Sequence, residues 1–211
     1  MEDRSLAPCW DIQPHLEQKP VMDLLKSIAS VLMEVPKHEH RLDCRLITGS
    51  REYVWIREHI KIIAKEGTIP ELKMVSGRLD FVFAINMVPI QFSKDCIFAP
   101  KKKHRLVRNK AESKQLTLFG GNDLEADHDL IWRILAEPYF IEEADEFPQW
   151  DVALVGINQY GSSVSEIRHH ETISVPLMDS SDARPDATYI DDAPLKRRNT
   201  TDETVKKDGT V

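Results

Sequence analysis

The sequence predicts an α+β domain, with about three helices packed on a mainly antiparallel sheet of hairpins and a disordered C-terminal tail. Three observations predict it. Early in the chain, apolar residues recur at the three-and-four spacing of one helix face. From Pro70 onward the pattern changes to short, β-prone runs divided by turn residues. After Pro176 the periodicity stops, and Asp, Ser, Thr, Lys and Pro dominate as far as Val211.

A chain of 211 residues suffices for one core of ordinary size, at about 100–200 residues per domain. The expected organisation is an irregular N-terminal segment (1–19), a single α+β domain (20–176) and a charged tail (177–211). The tail has too little apolar surface to offset its ordering entropy. Hydrophobic residues make up 41% and charged residues 30%, and the mean hydropathy is -0.39. No run approaches the roughly 18 apolar residues of a membrane span, and the stretch before Pro20 lacks the apolar centre of a secretion signal. A soluble, cytoplasmic protein with no membrane partner is therefore expected. Cys9, Cys44 and Cys96 are too widely spaced for a disulfide framework or a zinc ribbon, and reduced thiols are expected.

The elements follow in order. Pro20 suits the first turn of a helix, and Val21, Leu24, Leu25, Ile28, Leu32 and Val35 mark one apolar face that ends before Pro36. Over 41–46, Arg41, Asp43 and Arg45 alternate with Leu42, Cys44 and Leu46, as on a half-buried strand in which Cys44 is a small buried hydrophobe. Ser50 is the expected N-cap of a second helix, 51–66, with Ile56, Ile60 and Ile63 in one stripe and Gly67 at the left-handed terminal position. Strands are expected over 72–75, 79–85 and 88–92, with Asn86 taking the tight reversal. The basic stretch 100–115 has no consistent apolar period, and Gly120, Gly121 and Asn122 form a turn. A third helix is expected from near Asp127, carrying Leu130, Ile131, Ile134 and Leu135 until Pro138 breaks it. The apolar run 152–157 suits a buried strand, and a turn over 158–162 delivers a partner strand, 163–169. Trp55, Trp132 and Trp150 each lie beside an apolar stripe and are assigned to the core.

The sharpest shift in composition is the segment 100–115, with Lys101, Lys102, Lys103, His104, Arg105, Arg108, Lys110 and Lys114 against the single acid Glu112. Clustered cations release condensed counterions when they meet phosphates, so Lys101, Lys102, Lys103, Arg105 and Arg108 are the candidate nucleic-acid-binding residues. Lys196, Arg197 and Arg198 in the tail would add weak contact. No aromatic interleaves the segment, so stacking on bases is not indicated within it. A net charge of -7 excludes a surface that grips nucleic acid everywhere, though not a local basic site. The plainer reading is a solvated loop balanced by Glu142, Glu143, Asp145 and Glu146.

Other constellations carry less. His38 and His40 would share one side of a strand, with Asp43, Cys44, His169 or His170 as completing metal ligands. Their spacing matches no ligand signature, so they are read as surface histidines and neither metal nor cofactor is assigned. Asp80, followed across a hairpin by Gln91 and Lys94, resembles the carboxylate and lysine arrangement of restriction-type nucleases, which need acidic ligands for magnesium and a lysine near the attacked phosphate. Gln91 stands in place of a second acid, and Lys94 falls on the opposite strand face from it. Asp123, Glu125, Asp127 and Asp129 read as solvated acids, and neither a nucleophile elbow nor a phosphate-cradling glycine loop is present. The expected function is a non-enzymatic binding or regulatory module that contacts nucleic acid through 100–115. The alternative is a metal-dependent phosphodiester hydrolase using Asp80, or His38 and His40, with a lysine, so enzymatic activity stays open. A further alternative is an immunity- or accessory-type protein that binds a protein partner through its sheet.

Overall fold

The computed structural model describes residues 6–119, 130–140 and 147–170, with the backbone alone over 117–119. They form an α+β fold. The helices are α1 (Cys9–Ile12), α2 (Gln18–Glu34), α3 (Arg45–Glu66) and α4 (Lys110–Phe119). The strands are β1 (Leu72–Ser76), β2 (Val82–Ile85), β3 (Val88–Lys94), β4 (Ile131–Tyr139), β5 (Gln149–Ile157) and β6 (Ser163–His170). They lie in one sheet in sequence order. Every neighbouring pair is antiparallel except β3 with β4, which are parallel in register from Ile90↔Trp132 to Lys94↔Ala136. A parallel pair needs a long crossover. Here that connection contains the basic segment and α4.

Alternation along the strands sorts the side chains into two layers. Ile90 and Phe92 of β3, Trp132 and Ile134 of β4, and Trp150, Val152 and Leu154 of β5 join Leu24, Leu25, Ile28 and Leu32 of α2 and Ile56 and Ile60 of α3 in the main core. Leu135, Ala153, Val155 and Ile157 face the other way and are covered by Ile97 and Leu106 of the crossover. Pro20 sits in the first turn of α2, where its missing N–H removes no helical bond. Gly67 ends α3 at φ 71°, and its N–H caps the Ile63 carbonyl. Asn86 takes φ 52° between β2 and β3, and its side chain donates to the His15 carbonyl at 2.7 Å. Trp132 and Trp150 are core residues, 3% and 1% exposed, and Trp55 is half-buried against the His38 ring.

Several expectations are corrected. Residues 41–46 form no strand: the chain turns at Arg41–Leu42 and α3 already begins at Arg45, so Ser50 lies inside the helix rather than at its cap. Cys44 is exposed rather than buried, and Leu42 and Leu46 are 77% and 75% exposed. The cause is local: the Asp43 carboxylate accepts the His40 N–H at 2.9 Å and pairs with Arg51 at 2.6 Å, which fixes a turn in competition with an extended chain. The helix expected over 127–135 is instead β4, whose Trp132, Arg133, Ile134, Leu135 and Ala136 are buried on both faces of the sheet. A strand covered on both faces reads as a continuous apolar run, which periodicity alone does not separate from a helix. Pro138 is tolerated because it lies beyond the last β3 partner, Ala136. The basic segment, expected to be irregular, holds a short 3-10 helix (Lys103–Leu106) and the start of α4. The expected tail, the turn at Gly120, Gly121 and Asn122, and the acids over 123–129 and 142–146 lie outside the described residues. Among the described residues no helix is long and apolar enough to cross a membrane.

Candidate nucleic-acid interface

The basic segment is fastened to the sheet from beneath by Arg133. This β4 side chain is fully buried. Its guanidinium donates to the Arg105 carbonyl at 2.6 Å, the Val107 carbonyl at 3.1 Å and the Trp132 carbonyl at 2.8 Å, and it forks onto Glu112 of α4 at 2.6 and 3.1 Å. Gln91 donates to the same carboxylate at 3.2 Å. Burial pulls the Arg133 pKa down from its usual value, and the neighbouring Glu112 offsets only part of that pull. Glu112 also reaches back to the Asn109 N–H at 2.8 Å, while Asn109 Oδ1 accepts the Ala111 and Glu112 N–H groups at 2.9 Å each. That reciprocal cap starts α4.

At the other end of the segment Asp95 closes a loop. Its carboxylate accepts the Cys96 N–H at 2.9 Å and the Lys102 N–H at 2.7 Å. Burial alone would raise the Asp95 pKa, but the N–H groups of Lys102, Lys101 and Cys96 outweigh it and hold the carboxyl below its usual range. Lys102 Nζ donates to the Lys94 carbonyl. Arg105 pairs with Asp80 and lies over the Tyr53 ring, 5.5 Å from its centroid. Arg108 donates to the Leu130 carbonyl at 2.8 Å. Of the residues singled out in the sequence, Lys102, Arg105 and Arg108 thus serve partly as internal ties, whereas Lys101 and Lys103 are exposed and turned to solvent.

The same sheet end carries a second set of charges. Glu52 of α3 is buried, 4% exposed, and both its oxygens lie 2.7 Å from Lys94 Nζ at the end of β3. Lys94 also lies 4.8 Å over the Trp150 ring. Because β2 runs antiparallel to β3, Asp80, just ahead of β2, falls beside that strand end. Glu52 and Lys94 thus form an ion pair at the carboxyl ends of the parallel pair, where open sheets commonly hold ligands, while Asp80 is paired with Arg105 instead. Gln91 faces the opposite layer with Glu112, as alternation requires.

Glu52 does not stand out as a site residue in the sequence, although a signal exists: it sits four residues before Ile56 on the buried stripe of α3, an acid among core positions. Glu112 and Arg133 carry comparable signals, the first as the partner of an Asn-x-x-Glu cap and the second as one cation inside an apolar run. The histidines are not brought together. His38 meets Glu34 at 3.3 Å, the His40 ring accepts the Leu42 N–H, and His169 and His170 lie on β6. Among the described residues no group of three or more His, Cys, Asp or Glu side chains could hold a metal ion.

No family model matches the chain, and neither a curated protein nor a solved structure gives a significant match.

Proposed function

We propose that this protein is a binding or regulatory module of the cytoplasm that holds the phosphate backbone of nucleic acid on the segment 100–115. The supporting observation is the fastening of that segment: Arg133 grips the Arg105 and Val107 carbonyls and Asp95 grips the Lys102 amide, so Lys101 and Lys103 project from an ordered support. Donors that are already ordered lose less entropy on binding than donors on a free loop. Lys101 and Lys103 make the direct phosphate contacts, Lys102, Arg105 and Arg108 contribute field and shape, and the net charge of -7 confines binding to this face. The test is fluorescence anisotropy with labelled DNA and RNA over a salt series. Affinity falls steeply with salt, and the double variant Lys101→Ala/Lys103→Ala flattens the slope by about two counterions. Binding that ignores salt, or that survives the double variant unchanged, overturns the reading.

A second reading, phosphodiester hydrolysis with a divalent metal, is favoured by the buried Glu52 paired with Lys94 at the end of β3, with Asp80 just ahead of the neighbouring β2. Glu52 would exchange Lys94 for the metal, and Lys94 would then be released toward the attacked phosphate. Strand cleavage with magnesium or manganese, abolished by Asp80→Asn and Glu52→Gln, supports it. Intact substrate under those conditions removes it.

A further inference from the structure

Beyond the basic segment, the open part of the second sheet face carries exposed aromatic rings interleaved with an arginine. Ile97 is buried at 1% exposure, and its N–H donates to Glu137 of β4 at 3.0 Å. That anchorage turns the next side chain outward, and Phe98 is 72% exposed. The Arg168 guanidinium of β6 lies 4.6 Å over the Phe98 ring centroid and is steadied by Glu166 at 2.6 Å and by Asp151 at 3.5 Å. Asp151 also holds His170, whose ring stacks on Tyr139 with centroids 4.8 Å apart and planes 17° apart. The Tyr139 hydroxyl bonds His170 Nε2 at 2.8 Å and Gln149 Oε1 at 2.9 Å. Arg168 and His170 are two residues apart on one strand and so share a face. Phe98 lies in the loop that Asp95 closes onto Lys102, three residues before Lys101 and five before Lys103 in the chain.

An exposed phenylalanine whose ring packs on an arginine, with lysines following it in the chain, matches the needs of an unpaired base. The ring takes the base by stacking, the guanidinium holds the ring in place by a cation–π contact, and the lysines follow the backbone. A duplex keeps its bases stacked on one another and offers only phosphates to such a surface. We infer that the nucleic acid held here is single-stranded, with a base stacked on Phe98 and the neighbouring phosphates on Lys101 and Lys103. This rests on the proposed phosphate-binding role of the segment 100–115 and names its substrate class. The Tyr139–His170 pair offers the next ring along the strand.

The test uses the full chain with labelled oligo(dT), a duplex of the same length, and a strand of that length carrying abasic sites. Phe98→Ala weakens oligo(dT) binding by about fivefold or more, leaves the duplex and abasic strand unchanged, and Phe98→Trp restores oligo(dT) affinity. Because Phe98 is a surface residue, an unchanged thermal melt confirms that the variant stays folded. If Phe98→Ala changes all probes alike or none, while Lys101→Ala/Lys103→Ala still weakens them, the stacking inference fails and the phosphate-binding reading stands. If no probe binds at low salt, both fail together, and a protein partner for this aromatic face becomes the explanation.

Discussion

At the scale of single residues, Arg133 and Glu112 are the most deeply buried charges among the described residues. Each is buried, and each is kept in the interior by the other. Removing one leaves an uncompensated charge, so Arg133→Ala destabilises by about 3–5 kcal/mol, measured as a lowered urea midpoint. The apolar pair Arg133→Met/Glu112→Leu recovers most of that loss, since it removes the burial cost on both sides. Nucleic-acid affinity does not recover with it, because a thioether in place of the guanidinium cannot grip the Arg105 and Val107 carbonyls that order the basic segment. A double variant that regains both stability and affinity would show that the anchorage is dispensable. The cysteines give a second check. Burial pushes the Cys9 thiol up to about 11, whereas the Ile47 and Leu46 amides at the start of α3 hold exposed Cys44 below its ordinary value. The thiolate is the nucleophile. Cys44 therefore alkylates at neutral pH in the native protein while Cys9 reacts only after unfolding, and peptide mapping after iodoacetamide treatment would refute this by finding Cys9 labelled first.

Elements are legible where sequence and tertiary signals agree. The face of α2 and the turns at Asn86, Gly67 and Gly161 can be read directly, because the apolar spacing and the residue needed at each break point the same way. β4 cannot be, since Leu130, Ile131, Ile134 and Leu135 fit a helix as well as a strand buried on both faces. The same ambiguity hides the parallel crossover between β3 and β4. The basic segment is legible as composition but not as structure, because its order comes from polar contacts. Its helix depends on one of them: Asn109→Ala removes the acceptor for the Ala111 and Glu112 amides and costs about 1 kcal/mol. Hydrogen exchange then accelerates in the first turn of α4 while the β5–β6 hairpin keeps its protection. Equal acceleration in both would mean that α4 is not a separable unit.

For the molecule as a whole, pH acts first on the contact between α2 and α3. His59 of α3 bonds Ser27 of α2, and burial lowers its pKa against a smaller opposing pull from Glu66. A histidine whose folded pKa is depressed binds its proton more readily when unfolded. Its contribution is complete above the unfolded value of about 6.5 and shrinks as pH falls from there to the folded value. The carboxylates act in the same direction but in a more acidic window. Asp43 is held low by the His40 N–H and then by Arg51, and Asp95 is held low by backbone amides despite its partial burial. Their contributions are present above the unfolded value of about 3.9 and vanish as pH falls through the lowered folded values. Acidification should thus lower the urea midpoint in two stages, the first below about pH 6.5 and the second below about pH 4. His59→Gln keeps a hydrogen-bonding partner for Ser27 and removes the titration, so it should flatten the first stage and leave the second in place. An unaltered first stage in that variant would assign the neutral-range loss to other histidines and remove the α2–α3 contact as the point where acid enters the fold.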